Sequence, residues 1–193
     1  VCGRRNPRKT SRPQRRSATG CGAANDPANH DSYPALLLRG ILRRCKTMAM
    51  VGASPNWVRP SNFAMKYLQL KGYRIIPVNP ARAGGEILGE RVYGCLADIP
   101  EPFPMVDIYR NAEAAGALTD EAIEIAADKG IEVLWMQLGV RNDAAAARAE
   151  AAGLTVIMNR CPKIEYGRFS GELGWSGINT GIISARRHAV IWS

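Results

Sequence analysis

The chain has 193 residues, 46% hydrophobic and 22% charged, the proportions of a globular protein, with a net charge of +9. The excess is local: residues 1–46 hold eleven Lys/Arg against two Asp/Glu and residues 47–193 hold fifteen of each, so the expected folded part has no net pull on a nucleic acid. No apolar run approaches the roughly 20 residues that span a bilayer, so no membrane partner is expected.

Residues 1–29 carry seven Lys/Arg in their first sixteen positions, with Pro, Gly, Ser, Asn and Ala filling most of the rest. That composition cannot bury a core, and a disordered basic extension is expected there, read as an upstream addition rather than a transit peptide. From residue 33 to residue 44, Leu37, Leu38, Ile41 and Leu42 recur at helical spacing, with Pro34 suited to a first turn. Residues 47–52 form an apolar run ending in Gly52, the mark of a buried parallel strand before a tight turn. Ser61 is read as the cap of the next helix, where Ala64, Tyr67, Leu68 and Lys71 repeat before Gly72. A second strand over 73–78 precedes a long loop, residues 79–104, with four prolines and four glycines.

The third strand is expected over 106–109. Thr119 is read as the cap of a helix with Asp120 and Glu121 in its first turn and Gly130 at its end. A fourth strand over 132–137, an Ala-rich helix from Asn142 to Gly153 and a fifth strand over 154–158 follow. Residues 169–193, rich in Gly, Ser and Trp, read as a tail, which leaves 30–168 as the domain. The alternation predicts an α/β fold: a doubly wound parallel sheet of about five strands, order 3-2-1-4-5, with a ligand crevice at the carboxyl ends of strands one and four.

The chemistry-bearing residues gather at strand ends. The first turn contains Gly52, Ala53, Ser54, Arg59 and Ser61: a glycine permitting close approach, hydroxyl donors, a guanidinium and a helix start, the parts of a pyrophosphate cradle. The G-x-G-x-x-G fingerprint is absent, and the second strand ends in Val78, Asn79 and Pro80 without the acidic residue that holds a ribose diol, which disfavours nicotinamide and flavin dinucleotides. No G-x-x-x-x-G-K-[ST] sequence supports nucleoside triphosphate hydrolysis. On spacing alone, Arg82 is a solvated loop arginine. The third strand ends in Tyr109, Arg110 and Asn111, the fourth in Gln137, Leu138 and Gly139, and the fifth leads to Cys161 between Arg160 and Lys163. Those two cations are expected to favour the Cys161 thiolate. The five cysteines form no C-x-x-C, fitting free thiols in a reducing, cytoplasmic compartment. His30 and His188 are expected outside the core, which leaves no zinc site or histidine-based triad there.

Together the segments Met50-Val51-Gly52-Ala53-Ser54-Pro55, Arg74-Ile75-Ile76-Pro77-Val78-Asn79-Pro80, Leu96-Ala97-Asp98-Ile99-Pro100, Trp135-Met136-Gln137-Leu138-Gly139 and Asn159-Arg160-Cys161-Pro162-Lys163-Ile164-Glu165 resemble the small single-domain CoA-binding proteins. These are relatives of the CoA-binding domain of the succinyl-CoA synthetase alpha subunit, and the likeness runs from about Asp31 to Arg187. It implies a Rossmann-like fold with coenzyme A across the strand ends. Gly52, Ala53, Ser54, Arg59 and Ser61 would surround phosphates, and Val78, Asn79, Pro80 and Arg82 would lie near the adenine and its ribose phosphate. Tyr109, Arg110 and Asn111 would line the crevice, Gln137 to Gly139 would follow, and Cys161 would lie towards the thiol. Tyr109 stands where these proteins often carry Phe. The phosphorylated-histidine domain of the synthetase has no counterpart in these residues, so the resemblance extends to binding and not to ligase chemistry.

The leading expectation is therefore a binder of CoA or acyl-CoA without turnover, redox-linked through Cys161. The alternative is an enzyme acting on a CoA thioester with Cys161 as nucleophile. No histidine is placed to serve as its base, and Glu165 would raise the thiol pKa instead. The oligomeric state is left open.

Overall fold

Strands buried on both faces need apolar side chains on both sides, and five segments of this chain supply them. The computed structural model describes residues 30–170, so the expected extension at 1–29 and all of the expected tail beyond Ser170 lie outside the described residues. The strands are β1 (Thr47–Val51), β2 (Arg74–Val78), β3 (Glu86–Ile87), β4 (Glu90–Arg91), β5 (Met105–Ile108), β6 (Val133–Met136) and β7 (Thr155–Ile157). The helices are α1 (Ala35–Arg44), α2 (Pro60–Leu70), α3 (Ala112–Lys129), α4 (Asp143–Ala151) and α5 (Pro162–Phe169).

The main sheet has five parallel strands in the order β2-β1-β5-β6-β7. The α/β, Rossmann-like class is as expected, but the strand order 3-2-1-4-5 is not. The third long strand, β5, pairs with β1 on the side away from β2, which makes β2 an edge. Pro77 explains this. Its carbonyl points outward, where it accepts from Tyr93 N–H at 3.0 Å. In a parallel strand the missing N–H of Pro77 faces the same way, so a further strand there would lack a donor. The chain after β2 fills that edge itself, through the Val78–Tyr93 bridge and the β3–β4 hairpin, where the sequence reading expects only a loop.

One face of the sheet packs Met48, Met50, Ile75 and Trp135 under Leu38, Ile41, Met65 and Leu68 of α1 and α2. The other packs Val51, Val106, Ile108 and Met136 against the small faces of α3 and α4, with Ala115, Ala122, Ala145 and Ala149 buried. Alanines let these helices lie close, and Gly116 brings α3 against α4: a Cβ there would lie 3.1 Å from Asn142 Nδ2.

Two helix starts differ from expectation. α3 begins after Asn111, whose Oδ1 accepts from Ala114 N–H at 3.0 Å; Thr119 lies buried in mid-helix, its hydroxyl donating to Ala115 O at 2.7 Å. Gly116, in the first two turns of α3, is a packing contact. α2 begins with Pro60 after Arg59, so Ser61 is a buried helical residue and not the cap. Trp135 Nε1 donates to Arg160 O at 2.9 Å, tying β6 to the start of α5, a helix the sequence reading does not predict. No helix among the described residues is long and apolar enough to cross a membrane.

His30 is buried, against the expectation that it lies outside the core. Its Nδ1 is 2.9 Å from the Tyr33 hydroxyl, its Nε2 is 3.5 Å from Glu150, and the same hydroxyl accepts from Met158 N–H at 2.7 Å. Residues 30–33 are thus stitched to β7 and α4. Tyr33→Phe would strand the buried Met158 N–H and should lower stability by about 1–3 kcal/mol, read from the urea midpoint at unchanged m-value.

Candidate functional site

The site begins at the end of β1, where the backbone turns with a left-handed residue. Gly52 has φ +87°, and a Cβ there would lie 2.5 Å from Tyr109 O. Only glycine allows that turn and that contact. Two side-chain amides hold the loop that follows: Asn79 Nδ2 donates to Ala53 O at 2.8 Å and Asn62 Nδ2 to Ser54 O at 2.9 Å. No side chain caps α2, so the positive end of its dipole opens where the loop delivers it.

This corner is one wall of a cleft of about 1040 Å3 at the carboxyl ends of the strands. The switch point lies between β1 and β5, the consequence of the observed strand order, rather than between the first and fourth strands. Of the residues expected at the site, Gly52, Ser54, Arg59, Ser61, Asn79, Tyr109, Arg110, Asn111, Gln137 and Cys161 line this one cleft. Ala53 and Val78 are buried behind it. Pro80 and Arg82 are exposed on a short 3-10 turn, Pro80–Arg82, outside the lining. Gly139 is outside it too, its N–H donating to Asn159 Oδ1 at 2.8 Å.

The lining also includes Leu138, within the expected Gln137 to Gly139 stretch, the cation Lys163, and Val58, Pro60, Phe63, Ala64, Val140 and Ile164, an apolar share the sequence reading did not assign to the site. The signal available for Lys163 and Ile164 was Pro162, which stands at the first position of α5 as prolines do at helix starts.

Beneath the cleft lies a polar floor. Asp107 of β5 is fully buried, and its Oδ1 accepts from Gln137 Nε2 at 2.8 Å while Oδ2 has no partner. Burial pushes the Asp107 carboxyl up to about 7, opposed by the bond from Gln137. The Tyr109 hydroxyl and the Cys161 thiol are close enough to interact, but their geometry falls short of a hydrogen bond, and the hydroxyl oxygen is buried without a partner. Burial first, and Asp107 second, hold both groups towards their protonated forms. Among the described residues no cluster of His, Cys, Asp and Glu could hold a metal ion.

The sequence pattern of the CoA-binding domain matches residues 46–167, the span that builds the sheet and the cleft. The chain belongs to the CoA-binding domain family. The uncharacterised protein YneT of Bacillus subtilis is 35% identical over 129 residues, 67% of this chain and 91% of that protein. A hypothetical protein from Pyrococcus horikoshii OT3 superposes with a TM-score of 0.67 at 37% identity, over 73% of this chain and 95% of that one. A Thermus thermophilus protein superposes with a TM-score of 0.64 at 30% identity, over 70% and 98%.

The expectation that Arg160 and Lys163 favour the Cys161 thiolate is overturned: the thiol pKa is raised. Both cations turn elsewhere. Arg160 lies over the Tyr33 ring at 5.6 Å and donates to Asn159 O at 2.9 Å, and Lys163 Nζ lies 5.5 Å from the Tyr67 ring centre. Backbone N–H groups of Lys163 and Ile164 oppose the rise without reversing it.

A carboxyl raised in the folded state holds its proton when the unfolded chain has lost it. Asp107 therefore favours folding below its unfolded pKa and loses that contribution as pH rises towards about 7. Asp107→Asn should remove this loss, so that the melting temperature of the variant gains on the parent between about pH 4 and about pH 7 and levels off above that. Equal melting profiles across that range would contradict the assignment.

Proposed function

We propose that this chain binds coenzyme A, free or as an acyl thioester, in the cleft at the β1–β5 switch point, without turning it over. The observation that carries this is the β1–α2 corner. Gly52 makes the left-handed turn that carries the loop backbone into the cleft lining, α2 presents an uncapped N-terminus, and Ser54, Ser61 and Arg59 add donors within the same cleft. Those residues fit a diphosphate. The pantetheine arm would then run over Tyr109 and Gln137 towards Cys161, with the adenosine near Asn79 and its ribose phosphate within reach of Arg82.

Asn79 supports the choice of CoA over NAD. Its Nδ2 is committed to Ala53 O and its Oδ1 to Ala81 N–H at 3.0 Å, so it does not replace the carboxylate that grips a ribose diol. Binding without catalysis is supported by the floor of the site. Cys161 is held as a thiol, and His30 is bonded to Tyr33 and Glu150, so among the described residues nucleophilic attack on a thioester has neither a ready thiolate nor a free histidine base. A mixed disulfide between Cys161 and CoA, if oxidant drives it, should form slowly at neutral pH.

Calorimetric titration of the protein with CoA and NAD tests the reading, and tighter binding of NAD would overturn it. Arg59→Ala should weaken CoA by about 1.5–3 kcal/mol, the range for hydrogen bonds to charged groups. Arg82→Ala should weaken CoA by a similar amount and leave dephospho-CoA unchanged, because only CoA carries the 3′-phosphate. Equal effects on both ligands would remove Arg82 from that role.

A further inference from the structure

A carboxyl group in the middle of a parallel sheet is costly, and Asp107 occupies such a position with one oxygen unpartnered. Its in-register neighbours are Met50 on β1 and Trp135 on β6. The titratable groups beside it are Tyr109 on its own strand and Cys161 ahead of α5. The charges further out on α5 and its approach are Lys163 and Glu165, the latter lying 3.9 Å from Arg160 and 3.3 Å from Arg168. The buried face of α2 carries Ser61, Asn62, Ala64, Met65 and Leu68 and no charge. Among the described residues no cation therefore holds Asp107 in place, and its one hydrogen bond is to Gln137.

A tie between β5 and β6 does not need an acid; a neutral amide would make the same bridge. What an ionised carboxylate adds is direction. It accepts and cannot donate, so it fixes the Gln137 amide with Nε2 inward. Oε1 is then the polar atom that Gln137 has to offer the cleft it lines.

We propose that Asp107 is a positioning residue that holds Gln137 Oε1 towards the cleft, so that the site selects a ligand presenting an N–H donor at that point. On the reading of CoA as ligand, that donor is an amide N–H of the pantetheine arm. A neutral Asp107 can either accept from Nε2 or donate to Oε1, so protonation removes the preference. The share of affinity that comes from the arm is thereby proton-linked.

The test compares CoA with 3′-phospho-ADP, which keeps the adenosine and phosphates and lacks the arm. The ratio of the two affinities is measured between about pH 6 and about pH 8.5 for the parent protein, Asp107→Asn, Gln137→Met and the double variant. In the parent the ratio should rise about two- to tenfold with pH, the size of one oriented hydrogen bond. In Asp107→Asn it should stay at the low-pH value throughout. Gln137→Met should lower it at every pH, with no further loss when Asp107→Asn is added. A pH-independent ratio in the parent, a parent-like profile in Asp107→Asn, additive losses, or equal weakening of both ligands would each overturn the positioning role. Should Gln137→Met fail to fold, the profiles of the parent and Asp107→Asn decide alone. Failure of the folded parent to bind CoA at any pH would refute the CoA reading itself.

Discussion

At the end of β1 the chain passes so close to the end of β5 that a single carbon atom on Gly52 would collide with the Tyr109 carbonyl. The cleft depends on that contact. It requires β5 to lie beside β1, which turns β2 into an edge and puts the point where the sheet reverses its direction of growth at Gly52. The first turn, Tyr109, Arg110 and Asn111 then share one cleft because two strands, distant in sequence, end side by side. Were β5 to pair with β2, Tyr109 would end two strands away from Gly52.

The same adjacency explains why the cleft has a polar floor. Asp107 and Tyr109 alternate on one side of β5, the side covered by α1, α2 and α5, and Gln137 sits one residue past β6. Each polar group is therefore roofed by helices and cannot be hydrated freely. A fully buried carboxyl with one partner costs stability at neutral pH, and an apolar residue would pack there without that cost. A buried carboxyl beside the cleft, in a sheet otherwise packed with apolar side chains, has the signature of a candidate functional group.

How far this was legible in the sequence differs from element to element. The five strands and the helices over α1, α2 and α4 follow from apolar runs and helical periods, and Gly72, Gly130 and Gly153 stop helices with positive φ where expected. Ten of fifteen expected site residues line the cleft because an alternating α/β chain puts every strand's carboxyl end on one rim. Strand order was harder to read. It depends on which edge lacks a donor, and the only local sign was Pro77, an apolar residue in an apolar run. The start of α3 was missed because Thr119, followed by Asp120 and Glu121, has the residue pattern of a cap, while the cap in the structure is Asn111. The apolar lining from Phe63, Val140 and Ile164 was invisible for a related reason: a hydrophobic residue in sequence does not announce whether it faces a core or a cleft. Asp107 was in view within its strand, but its importance lies in its complete burial, which composition cannot show.

Cys161 shows why charge near in sequence is a poor guide to electrostatics. Arg160 and Lys163 flank the thiol along the chain, yet α5 starts between them and sends them in different directions, one over Tyr33 and the other over Tyr67. What the sulfur meets is the interior of the sheet face, with Asp107 and Tyr109 behind it and two backbone N–H groups in front. Desolvation outweighs those N–H groups because they only partly replace the lost hydration, and the nearby carboxyl adds repulsion once it ionises. The Cys161 end of the cleft is therefore polar but weakly nucleophilic: a thiol, a phenol and an acid near neutrality, all inclined to keep their protons. On the proposed reading, such a surface would contact a thiol or thioester by hydrogen bonding while leaving its bonds intact.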